Sequence, residues 1–256
     1  MDREPADKKG ANGVQAIERA MDILLQFIDA PSLEASQLQA AVKLSRPTLY
    51  RMLAAMEKKR VLRSYGQPRR YELGARVIEL ANAWLSQSEI TRVSSPFLRD
   101  LWETSGETIV LSVMRDDVRI TIQQFRSNSP LSYAPGIGKA MPLYAGASSK
   151  AILAFLPPDV VKSTIAKAPR KLDRKKLLEA LQSIRNRGFA VSTGELVAGA
   201  ASIAAPVFDD KHAAVGSVAL ALPASRLTRA ARDAFIAQVC QTAAQISEAL
   251  GYRAAT

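Results

Sequence analysis

Within SRPTLYRMLAAMEKKR, which begins at Ser45, the side chains of Arg46, Thr48, Tyr50, Arg51 and Lys58 are of the kinds that read duplex DNA. Arginine gives two hydrogen bonds to a guanine edge, hydroxyls serve either base type, and small or aromatic groups touch thymine methyls. That chemistry needs a helix presenting all of them together. At helical periodicity Leu49, Met52, Leu53 and Met56 form one apolar stripe, and Pro47, Arg51, Ala54 and Lys58 lie opposite it. Arg46 and Tyr50 take one flank and Thr48 the other. Ser45 suits the N-cap, and Pro47 is tolerated in the first turn, where no N–H is needed. Taken alone, the pattern also describes an amphipathic helix with a solvated basic face.

The neighbouring segments narrow the choice. Val61–Tyr65 and Arg69–Leu73 read as two short strands around Gly66-Gln67-Pro68, a hairpin that places Arg63, Arg69 and Arg70 for flanking phosphates or a minor groove. Upstream, Val14, Ile17, Met21, Leu24, Leu25 and Ile28 recur at helical spacing up to Ala30-Pro31, and Ser36–Val42 makes a second, short helix. Three helices and a basic hairpin compose a winged helix-turn-helix over residues 14–74. Residues 1–13, charged and glycine-containing, read as a flexible tail. The charge is concentrated accordingly: residues 1–42 carry net −3, residues 43–70 net +8, and the remainder net +6. A phosphate-facing surface leaves such a footprint.

Downstream of residue 74 the patterns change. Gly74–Ser88 is helical and spans the expected linker, residues 75–89, ahead of a second domain over residues 90–256. Ile90–Gly106 is an amphipathic helix with a break or kink at Pro96. Period-two runs follow at Thr108–Met114 and Arg119–Phe125, joined by Asp116-Asp117. A Pro/Gly-punctuated segment leads into a helix at Lys150–Leu156, and residues 159–187 are helical and basic. Strands at Ala190–Ser192, Ala201–Phe208 and Ala214–Leu222, then a helix from Thr228 to Leu250, complete about five strands covered by helices. The fold class is therefore α+β.

The 256 residues suit one large or two modest domains, and 48% hydrophobic content excludes wholesale disorder. One Cys and one His, Cys240 and His212, leave no disulfide and no Cys/His metal site, so no metal or cofactor is expected. Uncharged runs such as Leu196–Phe208 are shorter than the roughly 20 residues a membrane span needs. The N-terminus lacks an apolar export segment, and a cytoplasmic location follows as the expectation. Enzyme motifs are missing too: no G-x-S-x-G elbow, no G-x(4)-G-K loop, no HExxH helix. Gly136-Ile137-Gly138-Lys139 reads as a tight turn, and the acidic pairs Asp116-Asp117 and Asp209-Asp210 as hairpin turns. His212 is expected on the surface and Cys240 on the apolar side of the last helix.

From Gly13 to Tyr252 the chain resembles the IclR family of bacterial transcription regulators. The resemblance rests on GVQAIERAMDIL, on LSRPTLYRMLAAMEKKRVL with RRYELGARVIELA, on PLYAGASSKAILAFLP and on RGFAVSTGELVAGAASIAAPVFDD, in that order and spacing. It implies a winged helix-turn-helix, a linker helix and a C-terminal domain related to the GAF fold that binds small organic effectors. It also implies homodimers, or homotetramers, on double-stranded operator DNA, with effector binding altering the spacing of two recognition helices through the linker. Lys43 stands where the family usually has Gly, Tyr144 where it commonly has His, and Ser149 where it commonly has Gly.

By position, the resemblance assigns the effector pocket to Leu131, Ala134, Ala147, Ser148, Ser192, Ser202, Ala219 and Ala221. Members that take small polar acids tend to have Asp, Cys and Ser at the latter positions, where this chain has Ser192, Ser202, Ala219 and Ala221. Loss of those polar partners leaves a roomier, less polar cavity, suited to an aromatic or medium-chain organic acid. Ser148 and Ser149, at a helix start, offer a place for one carboxylate or hydroxyl, although serine there also serves as a plain N-cap. Three rival classes share part of this description: a winged-helix regulator of another family, a small-molecule enzyme, and an architectural DNA-binding protein without ligand.

Overall fold

The computed structural model describes residues 7–253, with side-chain surroundings from Val14 onward. The chain divides into two compact units, Met1–Gln87 and Ser88–Thr256.

In the first unit, α1 (Asp7–Leu25) continues into a single 3-10 turn, Gln26–Ile28. Of the tail expected over residues 1–13, residues 1–6 lie outside the described ones, and the helix begins at Asp7, ahead of Val14. No proline lies within Asp7–Leu25 to stop it, and Gly10 and Gly13 each cost only about 1 kcal/mol of helix propensity. β1 (Leu33–Glu34) leads into α2 (Ala35–Val42), whose start is closed by a capping box between Glu34 and Gln37. α2 ends on Lys43 in the left-handed conformation, φ 51° and ψ 42°, with its N–H donated to the Gln39 carbonyl. The turn thus imposes the geometry that glycine adopts freely, at a cost to lysine of about 1 kcal/mol.

α3 (Arg46–Lys58) starts at Ser45, as its sequence predicts, but the serine hydroxyl bonds Thr48 Oγ1 at 2.8 Å and caps no backbone N–H. β2 (Leu62–Tyr65) and β3 (Arg70–Leu73) form the hairpin, and β1 adds to its far side in the order β1-β3-β2, antiparallel throughout. Ile23, Leu38, Leu49, Leu53, Leu62 and Tyr71, none more than 1% exposed, tie helices and hairpin into one core. Gly74 closes the hairpin. A Cβ there would meet the Arg60 carbonyl oxygen at 2.2 Å, so only glycine lets the chain turn into α4 (Ala75–Ser86) at this point.

The second unit opens with α5 (Glu89–Ser105), which passes Pro96 unbroken. Buried Ser94, Leu98 and Leu101 hold the helix against the sheet on both sides of the missing N–H, so no break develops. β4 (Thr108–Arg115), β5 (Val118–Phe125), β6 (Ala140–Pro142), β7 (Ala190–Thr193), β8 (Ala200–Phe208) and β9 (Ala214–Pro223) form one antiparallel sheet, order β6-β5-β4-β9-β8-β7. The strand beyond the five expected is β6, three residues inside the Pro/Gly segment, too short to show a period of two. α6 (Ala147–Leu153) starts three residues earlier than expected, directly after Gly146. The basic helical stretch is two helices, α7 (Pro158–Lys167) and α8 (Arg174–Arg187), separated around Pro169 and restarted by Asp173, whose carboxylate accepts from the Lys176 N–H. α6 and α8 cover one sheet face around Leu143, Ile152, Leu181 and Ala204. On the other face Gly216 lies against Ile90 of α5, and α9 (Arg229–Ala249) packs on α5 and β8.

Candidate nucleic-acid interface and ligand cavity

The apolar stripe of α3 is buried as its spacing demands: Leu49 and Leu53 at 0% and Met56 at 9% exposure. That burial turns the opposite face outward. Arg46, Arg51 and Lys58 are exposed and have neither ion pair nor hydrogen-bond partner among the described residues. Tyr50 projects beside them, 44% exposed, while Thr48 is half-buried and held by Ser45. A face with three unneutralised cations and a projecting phenol can bind phosphates and touch base edges. Arg19 of α1 shares a shallow groove with Thr48 and Arg51. It was not among the residues selected from sequence, because only the packing of α1 on α3 brings it there.

Arg63, Arg69 and Arg70, expected to serve flanking phosphates or a minor groove, are each held inside the unit by a carboxylate in the free protein. Arg63 pairs with Glu72, its partner across the strands. Arg69 makes a two-point contact with Glu57 of α3 at 3.1 and 3.0 Å, its Nε donates to Ser64, and Ser64 in turn donates to Glu57. Arg70 reaches back to Ser32 and to Glu34 at 3.2 Å. The arginine-dense run is therefore largely neutralised by glutamates brought in from other elements.

The second unit holds a small, open-mouthed cavity of about 50 Å³ on the sheet face covered by α6. Of the positions assigned to the effector pocket, Ala147, Ser148, Ser149, Ser192, Ser202, Ala219 and Ala221 line it. Leu131 and Ala134 do not. Their loop contributes Tyr133 and Pro135 instead, and Leu131 is 65% exposed with its carbonyl accepting from Arg226. Glu195, Leu196 and Val197 form the rim. Lys150 holds Glu195 at 2.7 Å, and Leu196 lies so close to Gly146, φ 80°, that a Cβ there would meet its Cδ1 at 2.6 Å. Alanine, valine and leucine make up half of the lining, serines with Tyr133 and Glu195 add polar groups, and one buried charged group is an exception that sequence reasoning missed.

That exception is Arg119 of β5, 4% exposed and opening onto the cavity. Its Nε donates to Ser149 Oγ at 3.1 Å, and its Nη1 to Ser112 Oγ at 2.8 Å and Thr121 Oγ1 at 3.4 Å. Burial pulls its pKa below the usual arginine value, and Tyr133 opposes that shift. The alternation Arg119, Thr121, Gln123 suggests a solvent-facing side of β5. Because helices cover both faces of this sheet, the polar side turns inward.

The remaining candidates are structural. Gly136 and Gly138 both have positive φ in a turn stitched by Gly138 N–H to the Thr121 carbonyl and Gly136 N–H to Gln124. Asp116 and Asp117 sit at the β4–β5 turn, and Lys167 beside Asp117 holds its carboxyl below the usual range. Asp209 closes the β8–β9 turn by accepting from Lys211 and Ala213 N–H groups. His212 lies in that turn against Tyr252, and Cys240 is half-buried on α9 with its thiol pKa raised by burial. Among the described residues no helix is long and apolar enough to cross a membrane.

Comparison with known proteins now bears on both surfaces. A family model described as the IclR helix-turn-helix domain matches residues 16–65, and one described as the bacterial transcriptional regulator IclR C-terminal domain matches residues 82–248. The HTH-type transcriptional repressor AllR of Escherichia coli (strain K12) is 30% identical over 263 aligned positions, covering 98% of this chain and 94% of that protein. A putative transcriptional regulator from Rhodococcus sp. RHA1 has a similar fold, with TM-score 0.81 and 24% identity over 92% of this chain and 98% of that one. So does an IclR homolog complexed with 4-hydroxybenzoate from Microbacterium hydrocarbonoxydans, with TM-score 0.79 and 21% identity over 92% and 98% of the two chains.

Proposed function

The chain belongs to the IclR family of bacterial transcription regulators, and from that premise we propose that it is a sequence-specific repressor whose operator affinity is set by a small organic acid. The observation that carries the DNA half is the unpaired cationic face of α3, with Arg46, Arg51 and Lys58 around Tyr50. Two such helices in a homodimer, or in a homotetramer built from it, read two half-sites in successive major grooves of operator DNA in the cytoplasm. Arg46, Tyr50 and Arg51 contact base edges, and Ser45, Thr48 and Lys58 the backbone.

The effector half rests on the cavity. Its alanine-rich lining favours a weakly polar body, and the 4-hydroxybenzoate held by a protein of this fold is a ligand of that kind. The chain leaves the cavity-bearing unit through α5 and enters the DNA-binding unit through α4, so ligand-linked changes pass along that segment. Coupling free energies of this type are about 1 to 3 kcal/mol, a shift of roughly 5- to 150-fold in operator affinity. Control of a catabolic operon for such acids follows from that pairing.

The test is selection of bound duplexes from a random pool, followed by footprinting. A recovered motif with two half-sites, bound at least a hundredfold tighter than scrambled DNA, is expected. Equal affinity for all duplexes with a steep salt dependence would mean backbone binding alone and would replace this reading with an architectural one.

A further inference from the structure

Arg119 carries a charge that the protein does not balance. In the same unit Arg226 shows the usual solution for a partly buried arginine: Glu107 meets it with both oxygens, at 2.7 and 2.6 Å. Arg119 is deeper, and its three partners, Ser112, Thr121 and Ser149, are neutral hydroxyls. No carboxylate pairs with it among the described residues. Glu195, also on the cavity wall, is occupied by Lys150. A guanidinium does not escape by losing its proton, so a buried one without a counter-ion is costly. Nη2 has no hydrogen-bond partner among the described residues, yet it is not sealed in. Arg119 and Ser148 both line the cavity, the first with the two Nη2 donors unused and the second with a hydroxyl that has no partner among the described residues.

We propose that Arg119 is the anion receptor of this cavity, gripping the carboxylate of a monocarboxylic acid whose apolar body lies along the alanine-lined sheet. The proposal rests on the effector reading above and names the group that effector must carry. A carboxylate matches the planar guanidinium edge and supplies the missing counter-charge. The lining around Val110, Ala201, Ala219 and Ala221 gives no partners for the many polar groups of a sugar phosphate. Length follows from register. Thr108, Ala221, Ser202 and Ser192 stand in one row across four strands, whereas Ser112, where Arg119 is anchored, is four residues further along β4, about 13 Å along the strand direction, with Ser202 and Ser192 also two and three strands to the side. A two-carbon acid on Arg119 leaves the Ser192–Ser202 end empty. A ring or medium chain extends from Arg119 toward it.

The experiment is calorimetric titration of the full chain with benzoate, 4-hydroxybenzoate, 3-phenylpropanoate and octanoate, each beside its primary amide, with glyoxylate as the two-carbon acid and with inorganic phosphate. At least one of the larger acids is expected to bind, and at least tenfold more tightly than its amide and than glyoxylate. Arg119→Gln should shrink the acid-to-amide ratio to within about twofold, and Arg119→Lys, which keeps the charge, should retain at least a threefold preference. The amide comparison needs no variant, so a poorly folded Arg119→Gln leaves the test standing. Amides binding as well as acids, a full acid preference surviving in Arg119→Gln, or phosphate binding more tightly than every acid each overturns the anion-receptor role while leaving an effector cavity. Silence from every compound overturns both.

Discussion

Glu57→Gln isolates the question of what the hairpin gives to DNA. In the free protein Glu57 neutralises Arg69 through both oxygens and also receives the Ser64 hydroxyl. Glutamine keeps the shape and one acceptor but removes the negative charge. The Arg69 side chain is 57% exposed and that of Glu57 24%, so after solvent screening the pair is worth at most about 1 kcal/mol and the variant should stay folded. One cation released to a phosphate steepens the slope of log K against log salt by about 0.9. Over a fourfold salt range that amounts to about 3.5-fold more loss of affinity. Glu57→Gln is therefore expected to bind operator and scrambled duplexes several-fold more tightly at 50 mM salt, with the gain fading towards 200 mM. Arg51, already unpaired, should behave differently. Arg51→Ala, at a base-reading position, should weaken discrimination between the two duplexes and change the slope little. Arg69→Ala in the parent should leave the slope nearly unchanged, because its charge is spent on Glu57. Fluorescence anisotropy with both duplexes across salt concentrations measures all three. A full-unit loss of slope in Arg69→Ala, with no effect of Glu57→Gln, would show that Arg69 abandons Glu57 for phosphate on binding and would refute the reasoning.

Other outcomes follow from single contacts. Gly74→Ala must displace the Arg60 carbonyl, 2.2 Å from the added methyl, and should destabilise the first unit by about 1 to 3 kcal/mol, read as a lower melting temperature and weaker operator binding. Arg119→Met removes a buried, uncompensated charge and should raise the melting temperature of the ligand-free protein, by the equivalent of about 1 to 4 kcal/mol; a lower melting temperature would mean that the three hydroxyls already satisfy the guanidinium. Burial raises the Cys240 thiol pKa, so less thiolate exists at a given pH, and thiol titration near pH 8 should run slower in native protein than after denaturation.

What the sequence made legible is what local physics decides. The stripe Leu49, Leu53, Met56 fixes which side of α3 faces out, Ser45 marks where it starts, and the change of period after Gly106 marks the second sheet. The left-handed Lys43 agrees with what the family resemblance implies, since the family usually has glycine at that position. The illegible parts depend on distant partners. Glu34 and Arg70 are 36 residues apart, Glu57 and Arg69 twelve, and no local pattern says that these charges meet. β6 is set by pairing with β5 and not by its own three residues. Tyr133 and Pro135 replace Leu131 and Ala134 at the cavity because a punctuated loop has no period from which to infer which side chains point inward.

The two units treat arginine in opposite ways, and the contrast carries the functional argument. Around the hairpin, Arg63, Arg69 and Arg70 are matched one by one to glutamates, while Arg46, Arg51 and Lys58 on the outward face of α3 keep their charge unspent. Neutralising the flanks lowers non-specific affinity for any duplex, since that affinity scales with phosphates neutralised, while the base-reading face is untouched. Specificity rises as total attraction falls. In the second unit a single arginine is left unmatched where water is scarce, and its stabilisation is deferred to a ligand. A site completed only by an anion favours whichever conformation closes around that anion, and it is this difference in affinity between conformations, not tightness of binding in itself, that shifts a regulator between its DNA-bound and free states.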